Sequence, residues 1–494
     1  MSSLSILLII IAYFLLLLLV SYVAGRKSTD NEAFFTGNRQ SPWWVVSIGM
    51  IGASVSGVSF VSVPGMVGNF QFTYMQTVIG FFFGYLIIAK VLLPLYYKLN
   101  LTSIYTYLGE RFGKYSYKTG ASFFLLSKTI GAAVRLYIVA LILQTLVFDA
   151  WNVPFYLTVI IFLLTIWAYT FRSGIKSIVW TDTLQTIVML VALIVMIVEI
   201  TQSMGLDFKA LSREMANSSW TRVFVFDDWL SKQHFLKQFL SGVFIPIVMT
   251  GLDQDMMQKN LTCKSLPEAQ KNMYWYGAAF IPVNLLFLTL GFLILLFASN
   301  QGILLPEKGD EILAFVAVNH LGSVVLLMFV LGIIAAAFSS ADSALTALTT
   351  SFTVDILGIK VEKGDDSRPD NSKRIRMVVH IGITLLFLLV ILVFNKLNNT
   401  SVIDAIYIIV SYTYGPLLGM FSFGLFTKLK PVEWTVPFIA VLSPLLCYGL
   451  NELTTHYLGY QFGYELLLLN GGLTFLGLFI SSKYGNKNSR ICHQ

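Results

Sequence analysis

Long apolar runs follow one another along almost the entire chain, and only short polar segments separate them. A helix needs about 20 mainly apolar residues to cross the hydrocarbon core of a bilayer. The pattern contains 13 such runs, so we predict an all-α integral membrane protein with 13 transmembrane helices. The runs lie near residues 4–24, 44–69, 73–97, 119–148, 154–171, 178–201, 237–257, 274–299, 323–354, 377–395, 402–426, 433–450 and 464–482.

The composition agrees with a membrane protein and argues against several other classes. Of the 494 residues, 56% are hydrophobic and 12% are charged, whereas soluble domains carry about 25% charged residues. The sequence contains no GxxxxGK[ST] phosphate loop, which argues against a pump driven by ATP. The five histidines are scattered without a recognisable catalytic pair, so we do not expect an enzyme.

The distribution of basic residues predicts the orientation, because Lys and Arg collect in cytoplasmic loops. With the N-terminus outside, the inner loops hold 23 and the outer loops 7 of the 33 basic residues. We therefore expect a multi-pass protein of the plasma (inner) membrane whose C-terminus is cytoplasmic. The same loops account for the net charge of +7 without any binding of nucleic acid. The longest polar segments, 202–236 and 358–376, are predicted to be an outer and an inner loop.

The second apolar run is interrupted by Gly52, Ser54, Ser56, Ser59 and Pro64. Such residues at mid-membrane depth favour a broken helix, whose unwound backbone is tolerated where it lines a cavity. They also suit a close contact between two intact helices through small side chains. The residues themselves leave both interpretations open.

The ninth apolar run carries a stripe of small and hydroxyl-bearing residues. Ala336, Ser339, Ser340 and Ser343 have the spacing of one helix face, and Asp342 borders them. A carboxylate at this depth is costly unless it is neutral, paired or bound to a cation. The stripe therefore favours an ion site over simple packing, in which each serine would bond to a carbonyl of its own helix.

The sixth and seventh runs contain further carboxylates. Asp182 lies near the start of the sixth run, where a helix cap is the simplest interpretation. In the seventh run, Gly251 is followed by Asp253, Gln254 and Asp255. This ending suits either a helix that leaves the membrane or a second broken helix. Broken helices at corresponding places in two halves of a chain indicate the central site of a transporter.

Two basic residues, Lys128 and Arg135, share one face of the fourth run. A positive charge inside the membrane needs a partner. That partner is either a carboxylate of the protein, such as Asp253, or a carboxylate of a bound solute.

Together these stretches resemble the sodium:solute symporter family, which includes bacterial sialic acid, proline and sugar symporters and mammalian glucose, iodide and monocarboxylate carriers. Each motif is weak alone, but the set spans about residues 26–432 and is specific as a whole. The motifs that carry the resemblance are Gly52–Pro64, Leu101–Phe112, Ser173–Asp182, Gln258-Lys259, Ala335–Ser343 and Tyr412–Pro416.

The resemblance implies a fold of the leucine-transporter type, with two inverted repeats of five helices. The implied division is 1–43 (an extra N-terminal helix and a cytoplasmic loop), 44–201 (first repeat), 202–236 (extracellular loop), 237–426 (second repeat) and 427–494 (two C-terminal helices and a cytoplasmic tail).

The resemblance also implies a first Na+ site, in which carbonyls and hydroxyls of the broken helix and the ninth span bind the ion. These ligands correspond to Gly52, Val55, Ala336, Ser339 and Ser340. Neutral oxygen ligands suit sodium, which is a hard cation.

Some members of the family bind a second Na+, through residues that correspond to Asp182, Ser339 and Ser343. Asp342 stands where the sialic acid carriers have a serine. The second cation is therefore Na+, H+ or absent.

The nearest matches to substrate-binding residues of the family are Ser54, Ser56, Ser59, Asp253 and Gln254. The basic residue that sialic acid carriers use for the substrate carboxylate corresponds to Gly131. Arg135 lies one turn further along the same span and is a further candidate for this role.

We therefore expect a secondary active transporter that couples Na+ to a small polar solute by alternating access. A solute with a carboxylate, such as sialic acid or a monocarboxylate, is slightly favoured over a sugar. The alternative is a Na+ channel or an ion-gated sensor on the same scaffold. The expected partners are Na+, the solute and the lipid bilayer, and no obligate protein partner is evident.

Overall fold

The computed structural model describes residues 3–25, 35–359, 371–397 and 402–491, so most of the inner segment 358–376 lies outside the described residues. Within them the chain is helical and contains no β-strand. The longer helices are Ser3–Gly25, Trp43–Ser54, Gly57–Gly65, Tyr74–Ile87, Lys114–Leu143, Phe155–Ser203, Phe208–Asn217, Phe235–Pro246, Gln254–Asn260, Leu266–Gln301, Gly309–Asn319, Ser323–Ser351, Asn371–Leu397, Val402–Thr413, Gly415–Phe426, Val436–Leu458 and Leu466–Ile491.

The all-α membrane architecture is confirmed, whereas the count of thirteen spans remains a prediction. Nine of the described helices are long and apolar enough to cross a bilayer, and two bent pairs raise the number to 11. Shorter apolar helices, Phe155–Ala168 and Gly415–Phe426, lie within the runs 154–171 and 402–426 that we predicted to span the membrane. They fall below the length of a full span.

Two helices are broken in the middle, which decides between the alternatives that the sequence left open for the second and the seventh run. The first, here called the broken helix, consists of Trp43–Ser54 and Gly57–Gly65, which are bent by 59°. The second consists of Phe235–Gly251 and Gln254–Asn260, bent by 72°. Its shorter part begins at an N-cap, because the Asp253 carboxylate accepts hydrogen bonds from the backbone N–H groups of Asp255 at 2.9 Å and Met256 at 3.3 Å.

The fifth and sixth predicted runs join into one helix, Phe155–Ser203, which is kinked at Gly174 (φ 56°). We call it the aspartate helix because it carries Asp182. That residue lies two turns past the kink and is fully buried, so the interpretation of Asp182 as a helix cap is wrong. The helix continues through this position, and the carboxylate is free to meet other helices.

Three helices enclose the region that contains the candidate residues. Ser323–Ser351, here called the serine helix, packs against the aspartate helix and both parts of the broken helix. Lys114–Leu143, here called the basic helix, packs against the serine helix and the second part of the broken helix. Helix Gln254–Asn260 contacts the serine helix and the first part of the broken helix. Both breaks therefore lie in the interior of the bundle.

Candidate functional site

A cavity lies beside the break in the first broken helix. The volume of the cavity is about 90 Å³. Its wall includes Ser54, Ser56 and Ser59, as the resemblance implied. Gly131 also lines this space, and a Cβ atom placed there would meet no atom within 4 Å. The residues that line the cavity are Ala53, Ser54, Ser56, Val58, Ser59, Tyr74, Phe81, Tyr85, Ser127, Lys128, Gly131, Ala132, Arg135, Ile245, Pro246, Met249, Thr250, Asp253, Met256, Phe280, Asn284, Ile406, Val410 and Tyr414.

Lys128 and Arg135, the two basic residues of the basic helix that line the cavity, differ in their surroundings. Lys128 Nζ lies 3.1 Å from Asp253 Oδ2 and 2.8 Å from Asp255 Oδ2. Tyr414 donates a further hydrogen bond to Asp253 at 2.6 Å. Asp253 is therefore the partner of Lys128, and the pair that we considered between Asp253 and Arg135 does not form.

Arg135 is half-buried in the cavity wall and forms no ion pair with any described residue. It interacts electrostatically with Tyr414. A guanidinium group is permanently charged and binds carboxylates in a two-pronged geometry. The cavity thus contains a cation that is available to an anionic ligand.

Gln254 requires a correction, because the structure places it outside the cavity wall. Its side-chain oxygen accepts the N–H of Ile104 at 3.0 Å, and its amide donates to the carbonyl of Thr102 at 2.9 Å. Both ends of the amide therefore hold a neighbouring loop, and Gln254 is a structural residue. Asp253, by contrast, does line the cavity.

Most polar groups of the cavity wall are already hydrogen-bonded. Ser54 shares a hydrogen bond with Tyr276, and Tyr276 shares another with Tyr85. Ser127 and Asn284 donate to carbonyls of their own helices. Few hydroxyl or amide groups therefore remain for a ligand with many polar groups.

The first predicted Na+ site lies where the broken helix meets its two neighbours. A Cβ atom on Gly52 would lie 2.1 Å from Thr186 Oγ1 of the aspartate helix. A Cβ atom on Gly57 would lie 2.6 Å from Val139 Cγ2 of the basic helix, and at an ordinary contact distance of 3.5 Å from the Ile333 carbonyl oxygen of the serine helix. Glycine at position 52 is thus required for the close approach of the broken helix to the aspartate helix.

The backbone of the broken helix presents oxygens at this contact. The N–H of Val55 bonds to Ile51 at 2.9 Å, and the helix ends there. The last carbonyls of a helix lack partners within it, which suits the roles implied for Gly52 and Val55. On the facing serine helix, Ala336, Ser339 and Ser340 are all buried. The residues therefore fit a cation that takes neutral oxygen ligands.

The residues predicted for a second cation are joined by contacts within the chain. Ser339 donates to Asp182 Oδ1 at 2.8 Å, and Lys259 Nζ lies 2.8 Å from Asp182 Oδ2. Ser343 Oγ has two acceptors within hydrogen-bond distance, Asp255 Oδ2 at 3.3 Å and the carbonyl of Ser339 at 2.9 Å. The structure thus brings Asp182, Ser339 and Ser343 together, with Lys259 and Asp255 among them.

Lys259 and Asp255 had no assigned role in our reading of the sequence. They are one helical turn apart, and both are buried. Two opposite charges at this spacing are usually a pair on the helix surface, and the spacing alone does not indicate that they are buried. Asp342 accepts the N–H of Ser343 at 2.6 Å and interacts electrostatically with Lys259 and Tyr13.

Comparison with known families identifies this arrangement. The family model described as "Sodium:solute symporter family" matches residues 34–430. The chain belongs to the sodium:solute symporter family. This membership confirms the resemblance drawn from the sequence motifs, and it places the chain among Na+-coupled solute symporters of the membrane rather than among enzymes.

Several characterised symporters are similar to the chain. The sodium/sialic acid symporter NanT of Aliivibrio fischeri is 26% identical over 82% of this chain and 80% of its own length. SiaT of Proteus mirabilis, also a sodium/sialic acid symporter, is 23% identical over 82% and 81%. The human sodium-coupled monocarboxylate transporter 2 is 26% identical, but the match covers 51% of this chain and 40% of that protein. The relatives thus include carriers of different anionic solutes.

Solved structures show the same fold. A substrate-bound, outward-open Na+-coupled sialic acid symporter, described as having a novel Na+ site, superposes with a TM-score of 0.82. The two chains are 19% identical, and the superposition covers 97% of this symporter and 98% of the other. The nucleobase-cation symporter Mhp1 superposes with a TM-score of 0.55 at 15% identity, over 92% and 95% of the two chains. The fold is therefore that of transporters of the leucine-transporter type.

Proposed function

We propose that the symporter couples Na+ influx to the uptake of a small organic monocarboxylate, whose carboxylate binds Arg135. The observation that carries this proposal is the contrast between Lys128, which is fully paired, and Arg135, which forms no ion pair among the described residues. A partly desolvated guanidinium in a membrane protein needs a counter-charge. A solute carboxylate supplies that charge each time the cavity is filled.

The character of the cavity wall supports a small carboxylate with an apolar body. Sialic acid carries several hydroxyl groups, and each buried polar group of a ligand requires a partner. Here most polar groups of the wall are bonded to other protein groups. The remaining wall is largely apolar and includes Val58, Phe81, Ile245, Met249, Phe280, Ile406 and Val410.

The proposal assigns the first Na+ to the carbonyls of Gly52, Val55 and Ala336 and the hydroxyls of Ser339 and Ser340. The same broken helix contributes Ser56 and Ser59 to the solute cavity. An ion that fixes the break in one geometry also fixes that part of the cavity wall. Binding of Na+ and binding of solute therefore favour each other, which is the coupling that symport requires.

We further propose the membrane placement and the repeat organisation expected from the sequence. The symporter lies in the plasma (inner) membrane, with the N-terminus outside and the C-terminus in the cytoplasm. The two broken helices, Trp43–Gly65 and Phe235–Asn260, begin two repeats over 44–201 and 237–426. Their matching breaks in the middle of the bundle support this division.

Uptake into proteoliposomes tests the function. The purified symporter is supplied with an inward Na+ gradient and with labelled lactate, butyrate, N-acetylneuraminic acid or glucose, one at a time. We expect saturable accumulation of the short monocarboxylates that disappears when Na+ is replaced by choline. Accumulation of glucose instead would contradict the role of Arg135. Non-saturating Na+ flux without any solute accumulation would favour the channel alternative.

A further inference from the structure

Lys259 is the most deeply buried cation of the described chain, with 1% of its surface exposed. Its ammonium lies 2.8 Å from Asp182 Oδ2 and 3.8 Å from Asp255 Oδ1. The other oxygens of these two carboxylates lie within hydrogen-bond distance of the hydroxyl groups of Ser339 and Ser343. The ammonium is thus enclosed by the carboxylate and hydroxyl groups that the family resemblance assigns to a second cation.

These residues do not fit a second sodium ion. Both oxygens of Asp182 are engaged by groups of the chain itself, one by Ser339 and the other by Lys259. A Na+ beside Asp182 would lie close to the ammonium, and like charges repel strongly where water is excluded. The lysine therefore excludes the ion from the position that it would occupy.

The side chains joined by ion pairs carry a net charge close to zero. The ion pairs link three carboxylates with two ammonium groups, so the five side chains carry a net charge of −1. One Na+ at the first site, beside Ser339, neutralises the charge of these five side chains, which do not include the nearby Asp342. The side chains in the network are Lys128, Asp182, Asp253, Asp255 and Lys259.

We propose that Lys259 supplies the fixed positive charge of the second cation site, so that one Na+ is transported with each solute. This proposal rests on the proposed function, because it concerns the ion that accompanies the solute. Unlike a sodium ion, the lysine stays with the protein and returns with the empty carrier. One Na+ together with one monocarboxylate carries no net charge, so transport of such a solute is electroneutral.

Equilibrium binding of radioactive sodium to the purified symporter, in the presence of its solute, tests the stoichiometry. We expect one Na+ per wild-type chain and a Hill coefficient of about 1, since the coefficient cannot exceed the number of coupled sites. In Lys259→Gln, which removes the charge, a second Na+ should bind and the coefficient should rise toward about 2. The matched variant Lys259→Arg keeps the charge and should still bind one.

Binding of two Na+ per wild-type chain would overturn the proposal, and this measurement needs no variant. Binding of one Na+ by a folded Lys259→Gln symporter would also overturn it. If Lys259→Gln does not fold, Asp182→Asn replaces it, since loss of the carboxylate should leave the stoichiometry at one, whereas a sodium site built on Asp182 would lose an ion.

A second measurement separates this proposal from the proposed function. In proteoliposomes clamped with valinomycin, Na+-driven monocarboxylate uptake should not respond to the membrane potential. Uptake that increases with an inside-negative potential would show that more than one Na+ accompanies the solute, while the symport function itself would stand. Absence of any Na+-dependent uptake would instead contradict the proposed function.

Discussion

Ser339 Oγ donates a hydrogen bond to Asp182 Oδ1 at 2.8 Å, and this bond joins the serine helix to the aspartate helix. Both residues are fully buried. Ser340, the next residue, instead donates to the carbonyl of Ala337 in its own helix at 3.0 Å. Two adjacent serines that are both candidate ligands of the first Na+ thus differ in what else they hold in place.

Replacement of either serine is expected to weaken Na+ binding. Ser339→Ala and Ser340→Ala each remove one neutral ligand, which costs about 1–3 kcal/mol. The Na+ concentration for half-maximal uptake should therefore rise by roughly 5- to 150-fold. Ser339→Ala should show the larger effect, because it also removes the hydrogen bond to Asp182. Thr353→Val serves as the control, since Thr353 is buried two residues past the end of the serine helix and its hydroxyl has no hydrogen-bond partner among the described residues. Equal Na+ dependence in all three variants would show that neither serine binds the ion.

Two glycines near the cavity should respond differently to the same small change. In Gly52→Ala the new methyl group would lie 2.1 Å from Thr186 Oγ1, so the broken helix must shift away from the aspartate helix. We expect loss of Na+-dependent thermal stabilisation in detergent. Gly131→Ala meets no atom within 4 Å, so its stability should equal that of the wild type while its KM for solute rises. Similar behaviour of the two variants would contradict the close packing at Gly52.

Changes at Arg135 should affect the anion specifically. Arg135→Gln and Arg135→Lys are both expected to lose affinity for the monocarboxylate, because lysine cannot reproduce the two-pronged contact of a guanidinium. The corresponding uncharged amide of the solute provides the control. The preference for the acid over the amide, measured by competition against labelled solute, should vanish in Arg135→Gln. A preference that survives in this variant would mean that another group binds the carboxylate.

Lys128 is expected to act on stability through its two carboxylate partners. Lys128→Met leaves Asp253 and Asp255 buried without this counter-charge, and removal of one member of a buried ion pair costs about 3–5 kcal/mol. Thermal denaturation in detergent should show a lower Tm, with partial recovery in Lys128→Met/Asp253→Asn, which lowers the uncompensated charge. An unchanged Tm in Lys128→Met would show that solvent reaches this network.

Thiol labelling checks the proposed orientation. Ser219 and Lys264 are both exposed and lie in predicted outer and inner loops. Cys263 and Cys447 are buried, so the single-cysteine variants are made in a Cys492→Ser background, where labelling of native cysteines should be low. An impermeant maleimide added to intact cells should label Ser219→Cys and not Lys264→Cys, while lysed cells should label both. The reverse pattern would place the N-terminus in the cytoplasm.

The sequence by itself determined the features that depend on local order along the chain. Apolar runs of membrane length predict helices because the bilayer leaves no water to satisfy an open backbone. Breaks near Ser56 and Asp253 were among the alternatives for the same reason, since glycine, serine and aspartate are unfavourable in a lipid-facing span, but the sequence left them open. The stripe of Ser339, Ser340 and Ser343 followed from helical periodicity, and the motifs together indicated the correct family.

Only the tertiary structure decided which distant groups meet. The pairing of Lys128 with Asp253 joins residues 125 positions apart, and it leaves Arg135 to the cavity. The same packing turns Gln254 toward a loop and places Lys259 beside Asp182. Local pattern cannot predict these contacts, because the partner of a buried charge is set by how the helices are packed. Burial requires that each charge find a partner, but it does not determine which one.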